Sequence, residues 1–405
     1  MNILFIIPQE FEGNTWGGIM SYVVDLSQVL QRNGNTVSIL TPGSLSQRFV
    51  RHDVQFYKIP VVSTFPWWIV PVMIVMRRFF PEIYERIRWA YSVRMFLCLH
   101  SKFDVVEAPE WGSSTALLPF WRNPSVVVRL HKSEFQYQHD NKFPISISTV
   151  VIDVLERWCM WTAAAVSSPT QFMALQYPLL RWYMRIRNRP IQHIPNGVLV
   201  HPQMQRRSRA LHPYLLTVGR LEVAKGSALL LRAFMRIAKN YPRLHIYFIG
   251  EDTQMYVHKR WISYKKHMST MLMGKDYIKR VHFLTRQSRE KLARFYMNCV
   301  FYVIPSRGHE NASMSLLEAL AYGKAVVASD AGGSSEIVNA QKNGVLFKSD
   351  SVMDLAQAIE YLLDHPVRIR QFEKKAKQST VALAVSAVMT EKFFHSVKNR
   401  QPIFE

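Results

Sequence analysis

The hydrophobic positions of this chain fall into short apolar runs that alternate with longer amphipathic stretches. Near the start, an apolar run over residues 3–7 precedes a helical pattern over about 20–32, and another apolar run follows over 36–40. Short apolar runs indicate buried strands, and apolar residues spaced three and four apart indicate a helix. Gly34 is suited to end that helix. The order strand, helix, strand predicts a βαβ unit, and its repetition predicts an α/β fold with parallel, doubly wound sheets.

The same alternation begins again in the second half. The predicted strands there cover residues 215–218, 245–249, 281–284, 300–304, 325–328 and 345–347. A polar, basic segment without periodicity precedes them and follows the sequence IPNGV at 194–198, where the Asn-Gly pair favours a turn. We therefore expect two Rossmann-like domains, over residues 1–200 and 201–384. A last helix within residues 385–405 is expected to pack back onto the first domain.

A long stretch without charged residues covers residues 59–76. Its 18 positions are near the lower limit for a membrane-spanning helix, but Pro60, Pro66 and Pro71 interrupt it, so we do not expect it to cross a bilayer. Arginine and aromatic residues are mixed over the following 77–97 segment. Such a helix can lie in a membrane interface. An ordinary domain helix after a long loop explains the same pattern, and both interpretations stay open.

The chain is strongly basic, with 51 Lys and Arg against 29 Asp and Glu and a formal charge of +22. This charge favours an acidic partner, such as a phosphorylated ligand or an anionic membrane surface. Nucleic acid is not expected, because the sequence has no zinc-finger, RNP or clear helix-turn-helix signature. The three cysteines are far apart, so neither a disulfide framework nor a structural zinc site is indicated. We expect a cytoplasmic protein that can associate peripherally with the inner face of the plasma membrane.

The most informative stretch is PSRGHENASMSLLE at residues 305–318. An apolar strand ends before it, and a helix predicted to open at Ser315 follows. Glu310 precedes this helix and Glu318 lies about one turn inside it, so both can face a ligand over the helix N-terminus. An anionic ligand is favoured there, because the first backbone N–H groups point outward. A loop over 330–336 returns to the same sheet edge, and together these features predict one wall of a nucleotide-sugar site.

The first half contains weaker candidates at the ends of predicted strands. Gly17 and Gly18 follow the first strand, where the backbone could approach a ligand closely, although they do not match the GxGxxG pattern. His131 stands at the carboxyl end of the strand predicted over 126–130, the edge where open α/β sheets bind ligands. A histidine there can equally be a structural hydrogen-bonding residue.

Several short motifs, taken together in their order along the chain, resemble those of a known protein family. They are Gly219-Arg220, Lys225-Gly226, PSxxxE with a second Glu eight positions on, GxxVVAS and GGxxE. This pattern resembles the family 4 retaining glycosyltransferases, and the resemblance is clearest over residues 214–363. It implies the GT-B fold, in which two Rossmann-like domains face each other across a cleft and a C-terminal helix returns to the first domain.

The resemblance also implies roles for the charged residues. Arg220 and Lys225, next to Gly219, match the family's diphosphate-binding pair, and such a pair can stabilise a leaving group without a metal. The sequence has no obvious DxD motif, so we expect neither a metal nor another cofactor. Glu318 would accept hydrogen bonds from the ribose, and Glu310 would contact the donor sugar near the reacting carbon.

The resemblance also implies ligand contacts from residues of the first domain and from backbone groups. His131 would contact the sugar, and Gly17 and Gly18 would approach the diphosphate and the acceptor. Members often carry Phe-Gly after the first Glu, whereas this chain continues with Asn311, Ala312, Ser313 and Met314. Backbone donation to the sugar can survive this difference. The catalytic set implied by the resemblance is Glu310, His131, Arg220 and Lys225.

The expected activity is therefore retaining transfer of a sugar from a UDP- or GDP-sugar to a hydroxyl of a saccharide or lipid-linked acceptor, by front-face attack. Cell-surface polysaccharide or glycolipid synthesis would use such a reaction. Two alternatives remain: a GT-B epimerase or hydrolase acting on a sugar nucleotide, and a non-catalytic subunit that binds a membrane or a polysaccharide-assembly partner.

Overall fold

The structure is a computed structural model that describes residues 1–10, 17–51, 53–100, 102–119, 121, 123–199, 211–339 and 342–399. The chain divides into two compact units. Unit 1 comprises Met1–Gln136, Ile145–Gly197 and Leu383–Glu405, and unit 2 comprises Tyr137–Pro144 and Val198–Ala382. The short segment Tyr137–Pro144, which the sequence places in the first domain, thus belongs to unit 2. The basic segment expected between the domains lies mostly outside the described residues.

Unit 1 is built on an eight-stranded sheet. Its strands are β1 Asn2–Ile6, β2 Thr36–Gly43, β3 Gln47–Arg51, β4 Val54–Pro60, β5 Val105–Pro109, β6 Ser125–Arg129, β7 Ala165–Ser168 and β8 Gln192–His193. The strand order is β3-β4-β2-β1-β5-β6-β7-β8. All neighbours are parallel except β3 and β4, which pair antiparallel. The central strands are almost entirely buried, as expected when helices cover both faces of a parallel sheet.

Seven helices are assigned to unit 1 among the described residues. They are α1 Gly18–Arg32, α2 Val70–Phe79, α3 Pro81–Leu99, α5 Ile147–Thr162, α6 Gln171–Leu175, α7 Pro178–Ile186 and α15 Leu383–Lys398, while α4, Glu134–Asp140, ends in unit 2. The C-terminal α15 packs within unit 1: Phe394 lies 6.3 Å from Phe5 between ring centroids, and Glu391 accepts a 2.8 Å hydrogen bond from the Asn35 amide.

Unit 2 is built on a six-stranded, fully parallel sheet. Its strands are β9 Tyr214–Val218, β10 His245–Ile249, β13 Val281–Leu284, β14 Phe301–Ile304, β15 Val326–Ser329 and β16 Gly344–Phe347. The strand order is β13-β10-β9-β14-β15-β16. The helices are α8 Ser227–Ile237, α9 Tyr264–Thr270, α10 Arg289–Asn298, α11 Met314–Ala321, α12 Ser334–Ile337, α13 Val352–Asp364 and α14 Pro366–Ala376.

The predicted α/β class with two doubly wound sheets is confirmed. Sequence reasoning did not predict β3 and β4, which extend one edge of the first sheet. It also left residues 254–276 unassigned; these form an antiparallel hairpin of β11 Gln254–Val257 and β12 Arg260–Ser263, followed by α9. None of the helices in the described part of the chain combines the length and hydrophobicity that spanning a membrane requires.

Candidate functional site

A narrow cleft lies at the carboxyl ends of three neighbouring strands in unit 2. Val218, Ile249 and Ile304, the last residues of β9, β10 and β14, contribute to its lining. The other lining residues are Thr217, Gly219, Arg220, Leu221, Lys225, Ser227, Pro305, Ser306, Ser313 and Ser315. This edge of a parallel sheet is the general location of ligand sites in such folds.

The loop after β9 is held against the loop after β14 by a glycine. Lys225 ends a single 3₁₀ turn, and Gly226 follows with φ of 67° before α8 begins at Ser227. A Cβ atom at Gly226 would lie 1.9 Å from the Pro305 carbonyl oxygen. Only glycine tolerates both the left-handed backbone and this approach. The sequence Lys-Gly therefore positions the lysine side chain over the cleft.

Lys225 forms an ion pair with Glu310. The Nζ–Oε2 distance is 2.6 Å, and the two side chains are 27% and 12% exposed. An ion pair that is partly removed from water is stronger than one on the open surface, but it costs desolvation of both charges. Two residues that the sequence analysis assigned to different parts of the donor are thus direct neighbours.

The backbone around Glu310 is fixed by the loop that follows β15. Gly333 donates a 2.7 Å hydrogen bond to the Glu310 carbonyl, and Gly332 has φ of 65°. A Cβ at Gly332 would lie 2.2 Å from the same carbonyl oxygen. The expected return of the 330–336 loop to this edge is therefore seen as direct contact with Glu310.

The Arg220 guanidinium is oriented by two residues that sequence reasoning missed. It lies 5.2 Å from the centre of the Tyr137 ring and 3.4 Å from the buried Glu222 carboxylate. Half of the Arg220 side chain, 52%, is still exposed and accessible to an anion. Tyr137 is 83 positions away in sequence, and no sequence signal marked it, whereas Glu222 lies inside the motif itself.

Glu318 lies on α11, one turn from its start. Its Oε2 accepts a 2.9 Å hydrogen bond from the Tyr296 hydroxyl on α10. Burial, together with the Glu318 charge, raises the pKa of Tyr296 well above its ordinary value, so this hydroxyl stays protonated and donates. At the helix start, Tyr302 donates a 2.8 Å hydrogen bond to Ser315 Oγ. The helix begins at Met314, one residue before the predicted Ser315.

The floor of the cleft has donor groups suited to an anion. Ser306 lines it, and its buried hydroxyl has no hydrogen-bond partner among the residues that the structure describes. Ser227 and Ser313, at the starts of α8 and α11, also line the cleft. Helix N-termini present backbone N–H groups that intrahelical bonds leave available. Asn311 and Ala312 complete the loop between Glu310 and Ser313.

The remaining predicted site residues belong to unit 1. Gly17 caps α1 with φ of −70° and ψ of 172°, and Gly18 is the first residue of that helix. Gly17 thus has an extended backbone that any residue can adopt. A Cβ there would lie 3.4 Å from the Gln9 side-chain oxygen, which is an ordinary van der Waals contact.

His131 follows β6 and is held by its main chain. Its N–H donates to the Glu110 carboxylate, at 2.7 Å from either oxygen. Its ring meets Tyr22 edge-on at 6.1 Å between centroids. Burial, reinforced by the Arg129 charge, lowers the pKa of His131 to about 3, so the imidazole is neutral at physiological pH.

The structure therefore brings Gly219, Arg220, Lys225, Glu310, Asn311, Ala312, Ser313, Met314 and Glu318 together within unit 2, and Gly17, Gly18 and His131 lie in unit 1. The roles assigned to them stay predictions.

Comparisons with known proteins agree with this architecture. The sequence family described as Glycosyl transferases group 1 matches residues 204–379, and Glycosyltransferase Family 4 matches residues 16–200. Phosphatidyl-myo-inositol mannosyltransferase of Mycobacterium leprae is 23% identical over 378 residues, covering 91% of this chain and 88% of that protein. The alignments to two further curated relatives cover only 56% and 43% of those proteins' length.

Solved structures share the fold at low identity. Sucrose-phosphate synthase from Thermosynechococcus elongatus has a TM-score of 0.75 at 17% identity, with 98% of each chain covered. Anabaena HepE in complex with UDP and glucose has a TM-score of 0.68 at 16% identity, with 98% of this chain and 100% of that one covered. The expected GT-B fold is thereby confirmed.

Proposed function

Because this chain belongs to the family 4 glycosyltransferases with the GT-B fold, we propose that it transfers a sugar from a nucleotide-diphosphate sugar to a hydroxyl acceptor. The observation that carries the proposal is the Lys225–Glu310 ion pair, 2.6 Å long, at a cleft lined by the starts of two helices. A cationic group and a carboxylate side by side match the two ends of the bond that breaks: a leaving diphosphate and a sugar carbon that becomes electron-poor.

The diphosphate fits the basic side of this cleft. Arg220 can grip phosphate oxygens with two N–H groups, while Lys225 supplies a compact charge. Ser306 Oγ and the first N–H groups of α8 and α11 are the neutral donors on the same floor. Donors fixed in advance stabilise charge as it develops on the leaving group, which is the largest contribution in many enzymes.

The nucleoside and the sugar fit the two carboxylates. Glu318, held by the Tyr296 hydroxyl, is placed to accept hydrogen bonds from the ribose. Glu310 contacts the transferred sugar, and the backbone from Asn311 to Met314 donates to its hydroxyls. When diphosphate attracts Lys225, Glu310 loses its ion-pair partner and its negative charge becomes available to the developing oxocarbenium ion.

We further propose that transfer retains the anomeric configuration by front-face attack. The acceptor hydroxyl would approach from the side that the nucleotide leaves, with the leaving diphosphate receiving its proton. His131, whose pKa is about 3, would act as a neutral hydrogen-bonding group toward the sugar rather than as an acid. The configuration of the product, determined by NMR of its anomeric proton, tests this step, and an inverted product would contradict it.

The reaction is proposed to need no metal, because Arg220 and Lys225 supply the positive charge that a divalent ion would otherwise bring. Full activity in excess chelator is the expected result. If chelator abolished activity and magnesium or manganese restored it, the proposed metal independence would be wrong.

The donor is proposed to be a UDP- or GDP-sugar. Anabaena HepE, which shares the fold, is known in complex with UDP and glucose. A thermal-shift panel of UDP-, GDP- and ADP-sugars, followed by assay of nucleotide release with and without candidate acceptors, tests the function. Binding of one nucleotide sugar with acceptor-dependent release supports it. Hydrolysis or epimerisation without an acceptor, or binding of none, would contradict it.

The acceptor is proposed to be a saccharide or glycolipid intermediate of cell-surface synthesis, reached at the cytoplasmic side of an anionic membrane. The alignment with a phosphatidyl-myo-inositol mannosyltransferase over 91% of the chain supports a lipid-linked acceptor. In unit 1, Trp67 and Trp68 are 85% and 65% exposed just before α2, and Arg77 and Arg78 lie at its end. Exposed aromatics beside arginines are suited to a lipid interface.

Sedimentation with vesicles tests this surface. The chain should bind vesicles containing anionic lipid at low salt and release at high salt, and Trp67→Ser with Trp68→Ser should weaken binding. Leu211→Ser, which alters a residue 91% exposed in unit 2, is the control. If the chain did not bind these vesicles even at low salt, the proposed membrane contact would be wrong.

A further inference from the structure

Three metal-ligating side chains meet beside the donor site, all within unit 2. They are His139 and Asp140, at the end of α4, and His309, directly before Glu310. One ligand atom from each lies within 4.8 Å of the other two. His139 Nδ1 and His309 Nδ1 are 3.3 Å and 3.0 Å from the same oxygen, Asp140 Oδ1. No sequence pattern indicated this set, because 169 positions separate Asp140 from His309.

These spacings match the coordination geometry of zinc. Ligand atoms about 2.0–2.1 Å from a tetrahedral ion are separated from each other by about 3.3 Å. Both nitrogen–oxygen distances are close to that value and are spanned by hydrogen bonds in the structure, while a ring nitrogen of one histidine lies within 4.8 Å of a ring nitrogen of the other. Imidazole nitrogen and carboxylate oxygen are ordinary zinc ligands, and sites with three protein ligands complete the shell with water. His139 is 65% exposed, which leaves the cluster accessible to an ion from solvent.

The backbone holds the carboxylate in place through its other oxygen, Oδ2. Asp140 Oδ2 accepts a 2.8 Å hydrogen bond from the backbone N–H of His309. The next residue, Asn141, accepts a 3.1 Å hydrogen bond from the backbone N–H of Ala224, which fixes the end of α4. A metal ligand needs this kind of support from neighbouring groups to keep its orientation.

A glycine makes room for the cluster. Gly308 has φ of 64°, and a Cβ there would lie 2.3 Å from Asp140 Oδ1. Any side chain would therefore displace the oxygen that both histidines approach. The left-handed turn and the missing side chain together bring His309 to the carboxylate.

We propose that His139, Asp140 and His309 form a binding site for a divalent transition-metal ion, with zinc as the best-matched ion. The site is separate from Arg220 and Lys225, to which the proposed transfer assigns the diphosphate. An ion held by His139, Asp140 and His309 joins the end of α4 to the loop after β14. Zinc therefore raises the thermal stability of unit 2, and the rate of transfer in excess chelator stays unchanged.

The experiment uses the full chain, stripped of metal with a chelator and then dialysed. Zinc is titrated in competition with a chromogenic chelator, and cobalt is used as a spectroscopic probe of coordination. We expect one tight site per chain and a tetrahedral cobalt spectrum. His139→Ala should weaken zinc binding at least about 10-fold, and His309→Ala should do the same. Zinc should also raise the melting temperature of the parent protein but not of His139→Ala.

A second histidine pair supplies the control. His245 and His282 lie 2.9 Å apart between ring nitrogens at another edge of unit 2. The double variant His245→Ala, His282→Ala should keep the tight site. Because His139 is exposed, its variant is expected to fold, and circular dichroism checks this. Absence of stoichiometric zinc binding, unchanged binding in folded His139→Ala, or loss of the tight site only in the His245 and His282 double variant would each overturn the proposal.

Discussion

The Lys225 ammonium lies 2.6 Å from a Glu310 carboxylate oxygen, although 85 positions separate the two residues. Each charge neutralises the other before a donor is bound. In the proposed reaction, a diphosphate would compete with Glu310 for Lys225, so donor binding and exposure of the Glu310 charge would be linked. The pair would thereby connect the leaving group with the transferred sugar.

Removing the lysine should abolish most transfer. For Lys225→Ala we expect kcat/KM to fall about 10²–10³-fold, the range found when one donor to a developing oxyanion is lost. The exposed Lys239 offers a matched control, and Lys239→Ala should leave kinetics unchanged. Near-normal turnover in folded Lys225→Ala would refute the assigned role.

The two members of the pair should not act independently. Glu310→Ala should also lower kcat/KM for transfer. In the double variant, Lys225→Ala with Glu310→Ala, the fold-loss in kcat/KM should be smaller than the product of the two single fold-losses, because groups in contact are coupled. A double-mutant cycle on kcat/KM measures this. Strictly multiplicative losses would show that the ion pair has no role in the working enzyme.

Tyr296 should act through Glu318. Tyr296→Phe removes the hydroxyl that orients this carboxylate, so we expect KM for the donor to rise severalfold with little change in kcat. Tyr322→Phe, which alters the ring stacked on Tyr296 at 5.5 Å, is the control. With a 2′-deoxyribose donor, the effect of Tyr296→Phe should shrink; an equal effect on both donors would place Glu318 away from the ribose.

Two glycines with similar backbone conformations allow the cost of a left-handed backbone to be measured separately from the cost of a steric clash. Gly332 and Gly274 both have positive φ, 65° and 69°, but only at Gly332 would a Cβ meet another atom, the Glu310 carbonyl oxygen at 2.2 Å. Gly274→Ala should cost only the left-handed backbone, about 1 kcal/mol. Gly332→Ala should cost more and also lower transfer. Thermal unfolding with parallel kinetics measures both, and equal behaviour of the two variants would contradict the packing described for Glu310.

The stability of unit 1 should fall as pH rises. Burial raises the pKa of both Glu107 and Glu110 to about 7, above the value of about 4.5 in an unfolded chain. The folded unit therefore retains protons that the unfolded chain loses, so the stabilisation is full below pH 4.5 and is lost as pH rises through 7. Hydrogen exchange of β5 amides between pH 5 and 8, corrected for intrinsic exchange rates, measures this.

Glu107→Gln removes one of these titrating groups and should reduce the slope of stability against pH. Glu85→Gln changes a carboxylate that is 57% exposed and should leave the slope unchanged. An unchanged slope in folded Glu107→Gln would show that Glu107 does not retain its proton in the folded unit.

Sequence periodicity identified most of the strands and helices of both units, because a strand buried on two faces and a helix buried on one face impose local, readable patterns. The edge strands β3 and β4 were missed because polar and charged residues interrupt their apolar runs. The motif residues Arg220, Lys225, Glu310 and Glu318 could be selected from sequence, since each lies in a short pattern after a predicted strand.

What the tertiary structure alone decided is which distant residues became neighbours. The chain path places Tyr137, Asp140 and Asn141 in unit 2, and so gives Arg220 its aromatic partner and His309 its carboxylate. Sequence by itself determined the fold class, because this follows from local spacing, and its resemblance to a known family selected the charged residues of the proposed donor site. The Lys225–Glu310 pair and the histidine cluster required the fold, because hydrogen bonds and ion pairs depend on distances in space that chain separation does not set.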